Sequence, residues 1–175
     1  MSAIVAYKEP QDLIFKLLRE GRRTWLASDP QEKCDHFFNY CVTAHSLRDW
    51  CIKYLQLSDA EKSNFHTEMN TIKYFAECRD IANSSKHFGL DSKISSVSTA
   101  FPTESEFAVI TGEQNSEQYE SVKRMDISIS LTDGTNVDLF GFLHLTANNW
   151  IETLKRKNIP INNGYHTIYM FIEHR

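Results

Sequence analysis

The chain has 175 residues, of which 41% are hydrophobic, and that is enough apolar material for a packed core in one domain. This composition argues against global disorder. The formal net charge of −4 argues against broad, charge-driven binding of nucleic acid, because domains that bind this way tend to be basic. Six glycines and four prolines are few for this length, which favours a helix-rich fold over an all-β sandwich.

The first predicted helix begins near Pro10, which suits a first helical turn because it has no amide hydrogen to leave unpaired. Leucine, isoleucine and tryptophan side chains follow at helical spacing as far as Leu26. Ser28, Asp29 and Pro30 then predict a stop, a cap and the start of a second helix.

The second helix is predicted from about Gln31 to Leu57, along a broad apolar stripe. The sequence SDAE at 58–61 matches a capping box and predicts a new helical turn at that point. A third long helix is predicted from about Glu68 into the segment CRDIANSSKHF at 78–88.

The composition changes after residue 90. Residues 91–121 are rich in Ser, Thr, Glu and Gln and read as a loop region, with one candidate strand at 107–110. The next stretch, RMDISISLTDGTNVDLFGFL at 124–143, alternates like strands around an Asp-Gly pair. The sequence therefore predicts a small antiparallel β element at about 106–143.

The hairpin at this Asp-Gly pair is predicted to have a three-residue loop, with Gly134 in the left-handed conformation. That loop pairs Ile129 with Val137 and Ile127 with Leu139, which keeps the apolar side chains on one face. A two-residue loop would break that match, so the pattern favours the longer loop with a bulge.

A last helix is predicted from about His144 to Lys157, followed by a turn at 162–164 and a strand in the tail at 165–175. Ala147, Trp150, Ile151 and Leu154 are predicted to face inward. The expected fold is mainly α: a single domain of residues 1–175, divided into a helical core at 1–90, a loop and β-hairpin insertion at 91–143, and a helix and tail at 144–175.

The cysteines and histidines do not form a metal motif. None of the four cysteines has CxxC spacing, and the scattered histidines lack an HExxH pattern. Glycines form no phosphate-binding loop, so no metal or cofactor is predicted. Free, buried thiols, together with the absence of a signal-peptide pattern or membrane-spanning run, predict a soluble cytoplasmic protein.

The segment 78–88 concentrates polar groups at helical spacing. Arg79, Asn83 and His87 lie on one side of a helix, and Asp80 lies beside them. His45, Arg48 and Asp49 form a second polar set at helical spacing on the second helix. If the second and third helices pair antiparallel around residues 58–66, His45 is level with Arg79. Arginine offers a planar fork for phosphate, and histidine can move a proton from a ribose 2′-hydroxyl or to a leaving oxygen, with no metal required.

A structural interpretation of the same residues stays open. His45 on an apolar helix can be a core histidine bonded to a carboxylate, and Arg79 and Asp80 can form salt bridges that tie two helices together. Two basic clusters, KLLREGRR at 16–23 and KRK at 155–157, can likewise be either a local anion-binding patch or a solvated helix face.

The combination of FFNYCVTAHSLRDW at 37–50 and CRDIANSSKHF at 78–88 resembles uncharacterised bacterial and phage proteins related to the HEPN superfamily. Members of that superfamily are helical bundles, and many dimerise and cleave RNA without metal, using an arginine, a polar residue after it and a nearby histidine. The resemblance implies Arg79, Asp80 and His87 in these roles, assisted by Asn83, with His45 as the alternative histidine. Seven residues separate Arg79 from His87, one more than the usual pattern.

If the resemblance holds, it implies a homodimer that acts on RNA, in a defence or toxin system. Two other functions are compatible with the residues. One is a non-catalytic interaction module that presents the β-hairpin or the aromatic tail to a protein partner. The other is a nucleotide-binding domain in which Arg79 and Lys86 bind the phosphates.

Overall fold

The computed structural model describes residues 4–84, 95–111 and 118–172. In this part of the chain the fold is mainly helical and carries a small antiparallel sheet, as the composition predicts. A short 3₁₀ helix, Thr167–Met170, follows the last α-helix. The other elements, in chain order, are α1 (Pro10–Leu26), α2 (Pro30–Tyr54), α3 (Asp59–Thr71), α4 (Phe75–Ser84), β1 (Val97–Thr111), β2 (Gln118–Leu131), β3 (Asn136–Val137) and α5 (Leu139–Arg156).

The predicted start signals at Pro10, Asp29-Pro30 and Ser58 are confirmed. Helices α1 and α2 begin at the two prolines that the sequence placed in a first turn. The Asp29 carboxylate caps α2 by accepting from the amide of Glu32 at 2.9 Å. Before α3, the amide of Ser58 donates to the Glu61 carboxylate at 2.8 Å, which is the backbone half of a capping box.

The predicted third long helix is wrong, because the chain forms two helices there. α3 ends at Thr71, and Tyr74 has a left-handed φ of 69° before α4 begins. Such a conformation costs a non-glycine residue about 1–2 kcal/mol. The break lets the Tyr74 ring stack on Phe142 at 4.9 Å and the Phe75 ring stack on Trp150 at 4.3 Å, and this aromatic packing against α5 offsets the cost.

The β element starts earlier than predicted. Most of residues 91–121 were expected to be loop, with a strand at 107–110, but β1 runs from Val97 to Thr111 and pairs antiparallel with β2. The sheet order is β1-β2-β3. Side chains along the described part of β1 are largely exposed after Val97, so this strand lacks the apolar alternation by which a half-buried strand is recognised.

The hairpin between β2 and β3 has the predicted three-residue loop. Ile129 pairs with Val137, the amide of Leu131 donates to the Thr135 carbonyl at 2.8 Å, and Gly134 has a φ of 88°. The predicted pairing of Ile127 with Leu139 is wrong, since β3 has only two residues and Leu139 begins α5.

Helix α5 therefore begins five residues before the predicted start at His144. Asp138 is the cap: its carboxylate accepts from the amide of Gly141 at 2.6 Å. The inward face is confirmed, with Ala147, Trp150 and Leu154 fully buried and Ile151 nearly so. The predicted strand in the tail is wrong, because Thr167–Met170 forms the 3₁₀ helix.

The tail packs on α1 and α5. Met170 is fully buried above Gly21, where an added Cβ would overlap the methionine sulfur and lie 3.1 Å from a carbon of the Tyr40 ring. The Tyr40 hydroxyl donates to the Leu143 carbonyl at 2.7 Å and ties α2 to α5. The absence of a side chain at Gly21 therefore allows Met170 of the tail to pack directly against α1.

All four cysteines are free, as predicted. Cys41, Cys51 and Cys78 are buried, whereas Cys34 is only half-buried. Burial raises the pKa of the Cys51 thiol to about 12. None of the helices in the described ranges combines the length and apolarity that crossing a membrane requires.

A buried lysine caps the end of α1. The Lys33 ammonium donates to the Thr24 carbonyl at 2.6 Å and the Trp25 carbonyl at 3.2 Å, and its side chain is 1% exposed. The Arg124 guanidinium donates to the same Trp25 carbonyl at 2.7 Å and lies 4.5 Å from the Trp25 ring. Burial, with the nearby Arg124 charge, lowers the pKa of Lys33 from 10.5 to about 8.

We expect this lysine to make stability depend on pH. Between about pH 8 and 10.5 the unfolded chain keeps the Lys33 proton that the folded chain releases. The unfolded state therefore binds more protons in that window, and the contribution of Lys33 to the free energy of unfolding rises with pH. The free energy of unfolding by urea from pH 7 to 11 should therefore rise in the wild type relative to Lys33→Met, since the opposing effect of the buried thiols is common to both proteins. Equal pH slopes for the two proteins would contradict the assignment.

Candidate functional site

Several of the predicted polar residues meet where α2, α3 and α4 come together. The guanidinium of Arg48 on α2 donates to the side-chain oxygen of Asn70 on α3 at 2.7 Å. The guanidinium of Arg79 on α4 donates to the same oxygen at 3.4 Å. Two arginines from different helices thus converge on one neutral acceptor.

The orientation of Arg79 is fixed by its neighbour in the sequence. Asp80 Oδ1 accepts from Arg79 Nε and Nη2, both at 2.8 Å, which leaves Nη1 directed towards Asn70. The other Asp80 oxygen accepts from the amide of Ser96 at 2.6 Å, just before β1. Asp80 is 7% exposed, whereas a quarter of the Arg79 side chain is accessible. The buried carboxylate therefore positions a partly accessible guanidinium.

Arg48 is the most buried cation of this cluster, at 3% exposed. Its Nη2 donates to the Phe75 carbonyl at the start of α4 at 3.0 Å. The predicted antiparallel pairing, with His45 level with Arg79, sets Arg48 opposite residue 76. The observed contact with Phe75 differs from that position by one residue. Burial, together with the adjacent Arg79 charge, lowers the pKa of Arg48.

Of the other predicted site residues, the structure describes His45 and Asn83 but not His87. His45 is half-buried on α2, one turn before Arg48, and Asn83 is half-buried in the last turn of α4. His87, and Lys86 beside it, lie outside the described residues. The structure thus brings Arg79 and Asp80 together with Arg48 of the predicted polar set on α2, and it adds Asn70 and Ser96 to their network.

A carboxyl group that the sequence analysis missed also lies at this site. Burial raises the pKa of Glu77, and the negative charge of Asp80 raises it further. A carboxyl group in such surroundings keeps its proton to a higher pH than an exposed one. The sequence offers little reason to select Glu77, because single glutamates are common on the surfaces of helices.

The guanidinium donors of the cluster are the groups that can bind an anion. Arg48 and Arg79 bring two positive charges, and the carboxylates of Asp49 and Asp80 and the carboxyl group of Glu77 act on them, so the favourable contact comes from the hydrogen-bond donors and not from an excess of positive charge. Guanidinium groups bind phosphate through paired hydrogen bonds, so the cluster can bind a phosphate oxygen near the exposed edge of Arg79. No group of three or more His, Cys, Asp or Glu side chains in the described ranges has the spacing to hold a metal ion.

Comparisons of the chain with protein-family models, curated proteins and solved structures gave no match.

Proposed function

We propose that this protein is a HEPN-like ribonuclease that cleaves RNA without a metal ion. The observation that supports the proposal is the convergence of Arg48 and Arg79 on the Asn70 oxygen, with part of the Arg79 side chain accessible to a ligand. A phosphate oxygen can replace the amide oxygen as the shared acceptor, because both accept hydrogen bonds from guanidinium groups.

The proposed roles combine the contacts of Arg79 and Asp80 with the roles that the HEPN resemblance implies. Arg79 binds the scissile phosphate through its accessible edge, and Asp80 holds that guanidinium in position. Asn83, in the next turn of α4, orients the ribose or the phosphate. His87 transfers the proton from the 2′-hydroxyl or to the leaving oxygen, with His45 as the alternative. In the HEPN-like arrangement two such sites face each other in a homodimer.

The test is RNA cleavage in EDTA with purified variants. A mixed-sequence RNA should be cut by the wild type, and Arg79→Gln should lower the rate about a hundredfold, since one charge-stabilising donor is lost from the transition state. Arg156→Gln is the matched control because it removes a guanidinium that pairs with Glu68 at 3.0 Å, away from this cluster.

Histidine variants then identify the proton-transfer group. His87→Ala and His45→Ala should differ, with the larger loss marking the histidine that acts, and His66→Ala provides an exposed histidine control on α3. A folded wild type that leaves RNA intact in EDTA would reject the proposal. Equal rates for Arg79→Gln and Arg156→Gln would reject the assigned role of Arg79.

A second candidate function is a non-catalytic interaction module. It is favoured by a row of exposed apolar side chains in the tail, namely Tyr165, Ile168, Tyr169 and Ile172. Exposed apolar groups that cluster in this way are typical of protein–protein contacts. We keep the cytoplasm as the proposed location, because free thiols persist in a reducing compartment.

A further inference from the structure

A basic cleft lies between α1 and α2, about 18 Å along α2 from Arg48 by the rise of an α-helix. Its volume is about 450 Å³, and Leu26 and Ala27 form an apolar wall. The charged and polar side chains that line it are Arg19, Arg22, Arg23, Glu32 and His36.

A buried carboxylate lies next to two of these groups. Glu20 is 6% exposed, and its Oε1 accepts from Arg23 at 2.8 Å. Its Oε2 lies 3.4 Å from Nδ1 of His36. Glu20 therefore positions Arg23 by a hydrogen bond, whereas Oε2 of Glu20 and Nδ1 of His36 have no hydrogen-bond partner among the described residues.

The other two arginines complete the cleft in different ways. Arg22 is anchored by the tail, since its Nη1 donates to the Tyr169 carbonyl at 2.9 Å and to the Ile172 carbonyl. Arg19 is exposed and makes no hydrogen bond or salt bridge in the part of the chain that the structure describes. Its whole guanidinium fork is therefore available to a ligand.

The local field is positive. Three guanidinium groups face two carboxylates, those of Glu20 and Glu32. Burial lowers the pKa of the adjacent Lys16, and Arg19 and Arg23 lower it further against the opposing effect of Glu20. A ligand that carries more than one negative charge would relieve the repulsion among these cations.

We propose that this cleft is a second binding site, separate from the Arg79 cluster, and that it takes the phosphate group of a nucleotide. The fixed side chains of Arg22 and Arg23 and the free fork of Arg19 suit the several oxygens of a phosphate. The volume lies in the range of small-molecule sites, and the wall of Leu26 and Ala27 offers an apolar surface to a base or sugar. The nucleotide can be free or part of an RNA chain.

The proposal is tested by titrating the full chain with inorganic phosphate, AMP and a short oligouridine, using calorimetry. Binding of AMP more tightly than phosphate identifies a free nucleotide as the ligand, and binding of oligouridine alone identifies an RNA backbone. In either case Arg19→Gln should weaken binding about tenfold, because the ligand loses one charge-assisted hydrogen bond.

The matched control is Lys53→Gln, which removes an exposed charge near the opposite end of α2. It should change the affinity less than about twofold, which corresponds to the small effect of a distant, screened charge. The titrations are repeated in an Arg79→Gln background, which removes the contribution of the Arg79 cluster, and Arg19→Gln should cause the same loss there, so the result is independent of the ribonuclease proposal. No binding of any of the three probes to the folded wild type, or equal losses in Arg19→Gln and Lys53→Gln, would overturn the proposal.

Discussion

Replacing Asp80 by alanine is expected to lower the free energy of unfolding by about 3 kcal/mol, the low end for breaking a buried ion pair, because Arg79 keeps partial contact with water. The carboxylate accepts twice from Arg79 and once from the amide of Ser96, and it is almost fully buried. Its loss leaves a guanidinium and a backbone amide without their acceptor and detaches α4 from the start of β1.

Urea unfolding followed by circular dichroism measures this effect. Asp35→Ala is the matched control, since that aspartate is exposed and accepts only from the side chain of Gln31 at 2.8 Å. Its free energy of unfolding should stay within about 0.5 kcal/mol of the wild type. If Asp80→Ala were as stable as Asp35→Ala, the carboxylate would not link helix and sheet in the way its contacts indicate.

Removal of residues 161–175 is expected to cost about 5 kcal/mol, which approaches the whole stability of many small domains. Met170 is fully buried and Thr167 is 1% exposed, while the Phe171 ring packs edge-on against Trp25 at 5.1 Å. The truncation also removes Met170 from its position over Gly21, and without Phe171 one side of the Trp25 ring is exposed to water.

The truncated chain should therefore unfold at a much lower temperature and should expose apolar surface to a dye. Tyr169→Ser is the control, because its side chain is 54% exposed and its loss leaves the buried part of the tail intact. Analytical ultracentrifugation of both proteins separates the two roles of the tail. An unchanged melting temperature of the truncated chain, with loss of self-association, would show that the tail is an interface rather than part of the core.

The sequence predicts helix starts well because their signals are local. A proline in the first turn, the Asp29 cap and the box at 58–61 each act within a few residues of the helix that they start. The three-residue loop at Gly134 was predictable for the same reason, since only one register keeps Ile129 opposite Val137 on the apolar face.

The failures have a common cause in contacts between distant residues. No glycine or proline marks the helix break at Tyr74. The break is stabilised by stacking of Tyr74 on Phe142 of α5, nearly 70 residues later in the sequence. The pairing of β1 with β2 was missed for a similar reason, because most of the strand is polar and exposed and, of its described side chains, only Val97 and Phe107 pack against the core.

The candidate site was predictable only in part. Arg79 and Asp80 were found because adjacent polar residues in an otherwise apolar helix are conspicuous. Arg48 was recognisable as a charged residue that interrupts the apolar stripe of α2. Asn70, at the end of α3, and Ser96, just before β1, were not predictable, because their positions relative to the cluster depend on the whole fold. Local pattern identifies the charged groups, and tertiary structure decides which of them meet.

The contacts between α1 and the tail also set an order for folding during synthesis. Arg22 bonds to the carbonyl of Tyr169, across a separation of 147 residues, and Gly21 lies under Met170. Because chains emerge from the ribosome N-terminus first, α1 leaves the exit tunnel with one of its packing surfaces still missing. That helix acquires its final neighbours only after Met170 has been made, so α1 is synthesised long before the residues that complete its burial.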